Sequence, residues 1–368
     1  MKIGQLFLIP TPDPNLSFAQ RYDNVFEMVE FGDGHGFDSV WFTEHHFSDY
    51  GYSPNPLMLL QKAASVAPHM RLGTAILVLP LWHPVRLAED IATLDVLSGG
   101  RVELGIGRGY QPYEFNSLGV DLSLNRDMFN ESLKIILESL AQDDYYYDGR
   151  YWQVPETTVF PKPVQRPHPP IWMAATSPPS IRSAVENGYH LCTGTGGLVD
   201  ELKMRNAFID MCAERSGVDM HGIERAANRF VFCSEDPDDI SEAIDEARWQ
   251  IRVSRVLSSG GSPQAGRNDA PTYNGEPVKE LWQERMIIGD PDECLRRIEA
   301  LAEAGITYIF GLFQFGGLKQ DKAMNSIRLF DEHVRPKLSS INAVHVTGSD
   351  LEKQSRAFIE GGPGYVGV

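Results

Sequence analysis

The stretch Arg71–Tyr110, RLGTAILVLPLWHPVRLAEDIATLDVLSGGRVELGIGRGY, holds a complete strand–helix–strand unit, and its reading decides the fold. Leu72 to Leu79 is apolar enough for a strand buried on both faces, as parallel strands under helices are. Pro80 and Pro84 close it, because proline lacks the N–H that a central ladder needs. From Pro84 to Leu97, the residues Val85, Leu87, Ala88, Ile91, Leu94 and Val96 form an apolar stripe that leaves Arg86, Glu89 and Asp90 for polar surface. That pattern suits a helix with proline in its first turn, ended by Ser98-Gly99-Gly100. Arg101 to Ile106 is a second strand, and it exits through Gly105-Ile106-Gly107-Arg108-Gly109. Such a loop can bring backbone N–H groups and one guanidinium up to a phosphate or carboxylate. Taken alone, it also reads as a plain turn.

Outward from this unit the alternation repeats. Strands are expected at Lys2 to Ile9, Phe37 to Phe42, Ile171 to Ala175, His190 to Thr193, Arg229 to Cys233 and Ile306 to Phe313. Helices are expected at Phe18 to His35, Pro56 to Ala67, Leu124 to Leu140, Pro179 to Asn187, Leu198 to Arg215, Asp238 to Val253, Pro291 to Ala304 and Ala323 to Val334. The alternation lapses after the fourth strand, between Asp143 and Pro170, where a hairpin turning at Asp148-Gly149 and a proline-rich run form an insertion. Eight strands, each followed by a helix or an excursion, give the arithmetic of a (β/α)8 TIM barrel, with an open doubly wound sheet as the alternative. One domain over residues 1–337 is expected, and residues 338–368 as a loosely ordered tail. The long polar loop from Ser258 to Gly275, before the eighth strand, reads as a lid or as disorder, and a lid is favoured.

Composition narrows the function classes. The 368 residues carry 33 basic against 50 acidic side chains, a formal charge of −17, which argues against nucleic acid and anionic membranes as partners. An anionic ligand would therefore need a local cation such as Arg108. No apolar run has the length of a membrane span, and the N-terminus enters a strand pattern without the order of a signal peptide, so a cytoplasmic protein is expected. Cys192, Cys212, Cys233 and Cys294 are far apart with no zinc spacing; buried reduced thiols and no metal site are expected.

EHHF at residues 44–47, NPL at 55–57, GTA..VLP at 73–80, HPVR.AED at 83–90 and GR...GIGRG at 100–109 occur here in one order. In that combination, and on to about Pro336, the chain resembles the bacterial luciferase family of flavin-dependent monooxygenases. The resemblance favours the barrel. It implies reduced FMN supplied by a separate flavin reductase, O2 and a small organic substrate as reactants, and a homodimer. A GxGxxG fingerprint in strand-to-helix context is absent, in keeping with a reductase elsewhere.

Residue by residue, the resemblance implies an active-site role for His45. By type alone, a histidine here reads first as a structural one satisfied by Glu44 or a backbone carbonyl, and it is the resemblance that moves it into the active site. Ala75 and Ile76 match the place of a non-proline cis peptide beside the flavin ring, and Arg108 matches a phosphate contact. Thr176, Ser177 and Ser180 match a second phosphate-binding position; a plain helix N-cap explains Ser177 equally well. Two departures stand out: Gly107 replaces the reactive cysteine of the luciferases, and Thr176 stands where luciferase has an acidic residue. Tyr110, Trp82, Phe42 and Trp172 are candidate pocket aromatics. Substrate identity is not written in these motifs. The alternatives are a barrel oxidoreductase using a deazaflavin for hydride transfer, and a flavin-binding protein without catalysis.

Overall fold

The computed structural model of the protein describes residues 1–10, 15–194, 197–345 and 348–361. Eight parallel strands, Lys2–Phe7, Ser39–Phe42, Arg71–Thr74, Val102–Gly107, Ile171–Ala174, His190–Thr193, Arg225–Cys233 and Tyr308–Leu312, run in ring order. The first pairs with the eighth, Lys2 opposite Tyr308, and the seventh pairs with both the sixth and the eighth. The sheet is therefore a closed TIM barrel rather than an open one. Around and after it come helices α1 (Phe18–His35), α2 (Pro56–Val66), α3 (Pro84–Leu97), α4 (Pro112–Ser117), α5 (Asn125–Ala141), α6 (Pro178–Glu186), α7 (Val199–Ser216), α8 (Pro237–Ser258), α9 (Lys279–Gln283), α10 (Pro291–Glu303), α11 (Gln320–His333) and α12 (Ser349–Glu360).

The period of two along each strand divides the core. Ile3, Phe7, Val40, Leu104, Ile106 and Val231 face the helices and pack with Met28, Val29, Leu87 and Ile91. Leu6, Trp41, Trp172, Phe230, Tyr308 and Phe310 face inward. Each large apolar side chain so buried stabilises the fold by roughly 1.5–3 kcal/mol relative to exposure. The N-terminal half of the barrel is filled by indoles and phenyl rings: Trp41 lies 5.1 Å from Trp172 and 4.1 Å from Phe310, centroid to centroid. Trp41 fits only because Gly73 has no side chain, since a Cβ there would lie 2.0 Å from the indole. Glu103 sits in the same half, bonded by Arg71 and by Trp172 Nε1 at 2.7 Å. Burial pushes its carboxyl above the usual range, against the pull of Arg71 and Trp172.

The elements differ from the sequence expectation at several places. The run expected as one strand from Leu72 to Leu79 is interrupted at a cis Ala75–Ile76 peptide, resumes over Leu77–Val78, and ends in a 3-10 turn over Leu79–Leu81. The seventh strand starts at Arg225 rather than Arg229, because Arg225, Ala226 and Ala227 pair with the sixth strand. Ile287–Gly289 adds a short strand beside Val231–Cys233, with too few residues to show a period. The hairpin in the insertion forms as expected, with Asp148 opposite Gln153.

The segment after Lys337 is not a loose tail as far as Gly361: α12 lies on α7, with Phe358 5.3 Å from Phe208 and Leu351 buried. Residues 362–368 lie outside the described residues. The Met1 ammonium donates to Leu338 O at 3.0 Å and Ile341 O at 2.7 Å, so the start of the chain is held by the segment C-terminal to the barrel.

Candidate active site

At the C-terminal ends of the strands, where barrel enzymes place their chemistry, a cavity of about 390 Å³ opens. His45, Ala75, Ile76, Arg108 and Thr176 all line it, joined by Leu6, Asn228, Phe230 and Leu312 from the strands and by Gln250, Ile251 and Ser254 from α8. Five of the seven residues singled out in the sequence thus meet in one place. Ser177 and Ser180 do not line it. They bond one another through their hydroxyls at 2.8 Å, and Ser177 N donates to Ser180 Oγ at 3.2 Å, closing the first turn of α6.

The two adjacent histidines diverge, as side chains of neighbouring residues on an irregular loop do, and each finds its own carboxylate. His45 Nδ1 is 3.1 Å from Glu114 Oε1, an oxygen that also accepts from His46 N at 2.8 Å. A carboxylate only accepts, so His45 Nδ1 carries the proton between them, and in the neutral ring the lone pair is on Nε2. Around the ring stand Tyr50, 4.7 Å away edge to face, and Tyr110, whose hydroxyl is 3.4 Å from Ser254 Oγ. His46 Nε2 lies 3.1 Å from Glu44 Oε1. Glu44 is 2 % exposed and accepts from Val78 N at 2.8 Å and Trp82 Nε1 at 2.9 Å, which ties the His loop to the exit of the third strand. Burial pushes the Glu44 carboxyl above its ordinary value. Burial alone would lower His46, but the hydrogen bond and charge of Glu44, with the charge of Glu114, raise it above 6.5.

Arg108 forms no hydrogen bond or ion pair through its guanidinium among the described residues. Partial burial, with Arg126 nearby, lowers its pKa, yet an arginine stays charged. Glycines make the floor beside it. A Cβ on Gly105 would lie 1.8 Å from Thr74 O, and one on Gly107 would lie 2.2 Å from Ile76 Cδ1. Where the luciferases carry a cysteine, Ile76 fills the space.

The long loop expected as a lid lies against the His45 loop, Ala270 and Tyr273 pack on the cluster that includes Phe230 and Ile251, and none of its residues lines the cavity. Asp49 N donates to Gly266 O at 2.8 Å, and Asp49 Oδ1 accepts from Asn268 Nδ2 at 2.7 Å. Farther on, Glu276 is clamped by Arg248 and Arg252, and the Arg255 guanidinium lies 4.1 Å from the Tyr273 ring.

A family model described as luciferase-like monooxygenase matches residues 1–308. The chain belongs to that family. Membership makes this luciferase-like monooxygenase a flavin-dependent enzyme. Among its relatives, the oxygenase component of a flavin-dependent trigonelline monooxygenase from Acinetobacter baylyi is 33% identical over 301 residues, 78% of this chain and 81% of that one. Two solved structures share the fold. The oxygenating constituent of 3,6-diketocamphane monooxygenase from Pseudomonas putida, in complex with FMN, has a TM-score of 0.73 at 24% identity, covering 92% of this chain and 99% of its own. An F420-dependent secondary alcohol dehydrogenase has a TM-score of 0.75 at 19% identity, covering 92% and 98%.

In this luciferase-like monooxygenase, sequence reasoning missed Glu114. The available signal was Pro112, which starts a short helix after the glycine-rich exit and places a carboxylate in its first turn. All four cysteines are buried free thiols, and burial pushes Cys192 up to about 12. Among the described residues, no helix is long and apolar enough to cross a membrane, and no cluster of metal-ligating side chains occurs.

Proposed function

We propose that this luciferase-like monooxygenase is the oxygenase of a two-component system: it takes reduced FMN from a separate reductase and uses O2 to oxygenate a mainly apolar organic substrate. The observation that carries the reading is a guanidinium, Arg108, without a partner among the described residues and in the same cavity as the His45–Glu114 pair. The relative from Acinetobacter baylyi, named as an oxygenase component, supports it.

The residues fit FMN. A phosphate supplies the anion that Arg108 lacks, and it does so in a chain whose net charge otherwise repels anions. Thr176 would add a hydroxyl. The N-terminus of α6, closed by Ser177 and Ser180, would add a favourable dipole, although Pro178 and Pro179 in its first turn carry no N–H. Ala75, Ile76 and Val78 give an apolar wall for a planar ring. Bound reduced FMN would supply the electrons by which O2 is activated. His45 would take up or return a proton at Nε2, with Glu114 holding the tautomer and the ring plane. Leu6, Phe230, Ile251 and Leu312 would exclude water that competes with the substrate. The same reading carries a cytoplasmic setting and a homodimer, the latter to be checked by sedimentation.

Anaerobic titration with reduced FMN and with reduced F420, followed by mixing with O2, tests the proposal. Binding of reduced FMN in preference to F420, with its reoxidation rate altered by the protein, is expected. Binding and oxygen-free turnover of F420 alone would replace this reading by the hydride-transfer one. Tight binding of oxidised FMN with no oxygen consumption would leave a flavin carrier.

A further inference from the structure

One amide of the cavity is held by the fold at one end and open at the other. Gln250 stands on α8, is 3 % exposed and lines the cavity. Its Oε1 accepts from Gly316 N at 3.0 Å, and one turn earlier on the same helix face Glu246 Oε2 accepts from Gly317 N at 2.6 Å. The loop after the eighth strand is shaped for this clamp: Gly316 has a φ of +53°, and a Cβ on it would lie 2.6 Å from Glu246 Oε2. A backbone N–H only donates, so the bond decides which end of the Gln250 amide faces the loop. The other end is Nε2, which makes no hydrogen bond among the described residues and is not shut off from solvent. A donor of fixed position and orientation is thereby offered to the cavity.

The ring order of the strands says which ligand meets it. Ala75 and Ile76 follow the third strand, and Arg108 and Thr176 follow the fourth and fifth, so the proposed flavin contacts cluster on one side. Gly316, which holds Gln250, follows the eighth strand, and the eighth stands four places from the fourth in a ring of eight. Gln250 is therefore tied to the side of the mouth opposite Arg108, where Leu312, Phe230 and Ile251 supply apolar wall. Charge narrows the ligand further. Apart from Arg108, assigned above to phosphate, the acidic or basic side chains lining the cavity are His45, Glu44 and Glu114, and the two carboxyl groups disfavour a second anion. An uncharged acceptor fits, and a carbonyl oxygen accepts without bringing a proton that needs a partner of its own.

We infer that Gln250 is a specificity-determining residue for the organic substrate, an uncharged and mainly apolar carbonyl compound whose oxygen accepts from Gln250 Nε2. The inference rests on the monooxygenase reading, which puts flavin on the side of Arg108. Water that hydrates Nε2 before binding is exchanged at little cost for a carbonyl that remakes the bond, and at a loss for a group that cannot. A site built to pair one polar group of its substrate discriminates by that group more strongly than by a methylene.

The test uses calorimetric titration of the full chain loaded with oxidised FMN, with two pairs of probes that exchange C=O for C=CH2: acetophenone against α-methylstyrene, and cyclohexanone against methylenecyclohexane. The readout is the ratio of ketone affinity to alkene affinity, compared between the native chain and two variants. Gln250→Glu keeps an oxygen for Gly316 N and turns the donor into an acceptor; Gln250→Met removes both. Each should lower the ratio about tenfold, with FMN affinity in Gln250→Met within a factor of two of the native value. A ratio unchanged in either folded variant, no binding of either ketone to the native chain, or a larger loss of FMN affinity in Gln250→Met overturns the inference. Failure of FMN to bind the native chain overturns the monooxygenase reading instead, and the same ratio measured on the flavin-free chain then decides the role of Gln250 by the same outcomes.

Discussion

The two halves of the barrel interior are built from the same strands and put glycine to opposite uses. In the N-terminal half, Gly73 clears room that the Trp41 indole fills, and Trp172, Tyr308 and Phe310 complete a solid plug. In the C-terminal half, Gly105 and Gly107 let the third strand approach the fourth so closely that Thr74 O and Ile76 Cδ1 occupy the vacated space, while the centre stays open as the cavity. Polar groups follow the same division. Glu103 below is fully engaged by Arg71 and Trp172, whereas Arg108 above lacks a side-chain partner among the described residues. The lower half is finished by the protein itself, and on the proposed reading the upper half is left for ligands.

That contrast can be broken by substitutions that change binding below or stability above. The largest effect is expected at His45. His45→Ala should leave FMN affinity within a factor of two and lower the yield of oxygenated product per reduced FMN by about a hundredfold or more, the scale of general acid–base catalysis. Glu114→Gln should cost about tenfold in the same assay, because an amide can also donate and no longer enforces the tautomer. Next, Arg108→Ala should weaken FMN binding roughly ten- to hundredfold in equilibrium dialysis, with the melting temperature of the flavin-free chain unmoved. Loss of folding in that variant would place Arg108 with the plug rather than the mouth.

A further substitution belongs to the lower half. Gly73→Ala forces a Cβ into the Trp41 ring, and about 1–3 kcal/mol of stability should be lost in denaturant unfolding, with FMN affinity of the folded protein unchanged. The smallest effect concerns His46. Its folded value lies above 6.5, so the folded state holds a proton that the unfolded chain releases earlier. This contribution is complete below pH 6.5 and is lost as pH rises through the raised value. The melting temperature should fall by roughly one degree more between pH 6 and pH 8 in the native chain than in His46→Gln.

Legibility in the sequence followed the range of the interactions. The strand–helix–strand unit around Arg108 could be read because its apolar period is local, and His45 and Arg108 stood out as polar residues at strand ends. The break at Ala75–Ile76 came from the resemblance, since nothing in residue physics marks it. Glu114 escaped because it acts on a loop 69 residues away, and Asp49 because its partner Asn268 is 219 residues away. Asn228, which lines the cavity, escaped for another reason. A polar residue just ahead of an expected strand looks like a loop residue until the strand proves to begin three residues earlier, at Arg225.

The clasp at the start of the chain has a practical side. The Met1 ammonium spends two of its protons on Leu338 O and Ile341 O. A purification handle fused ahead of Met1 would replace that group by a single amide N–H and would have to thread past both carbonyls. A melting curve that drops on N-terminal tagging would report the clasp directly.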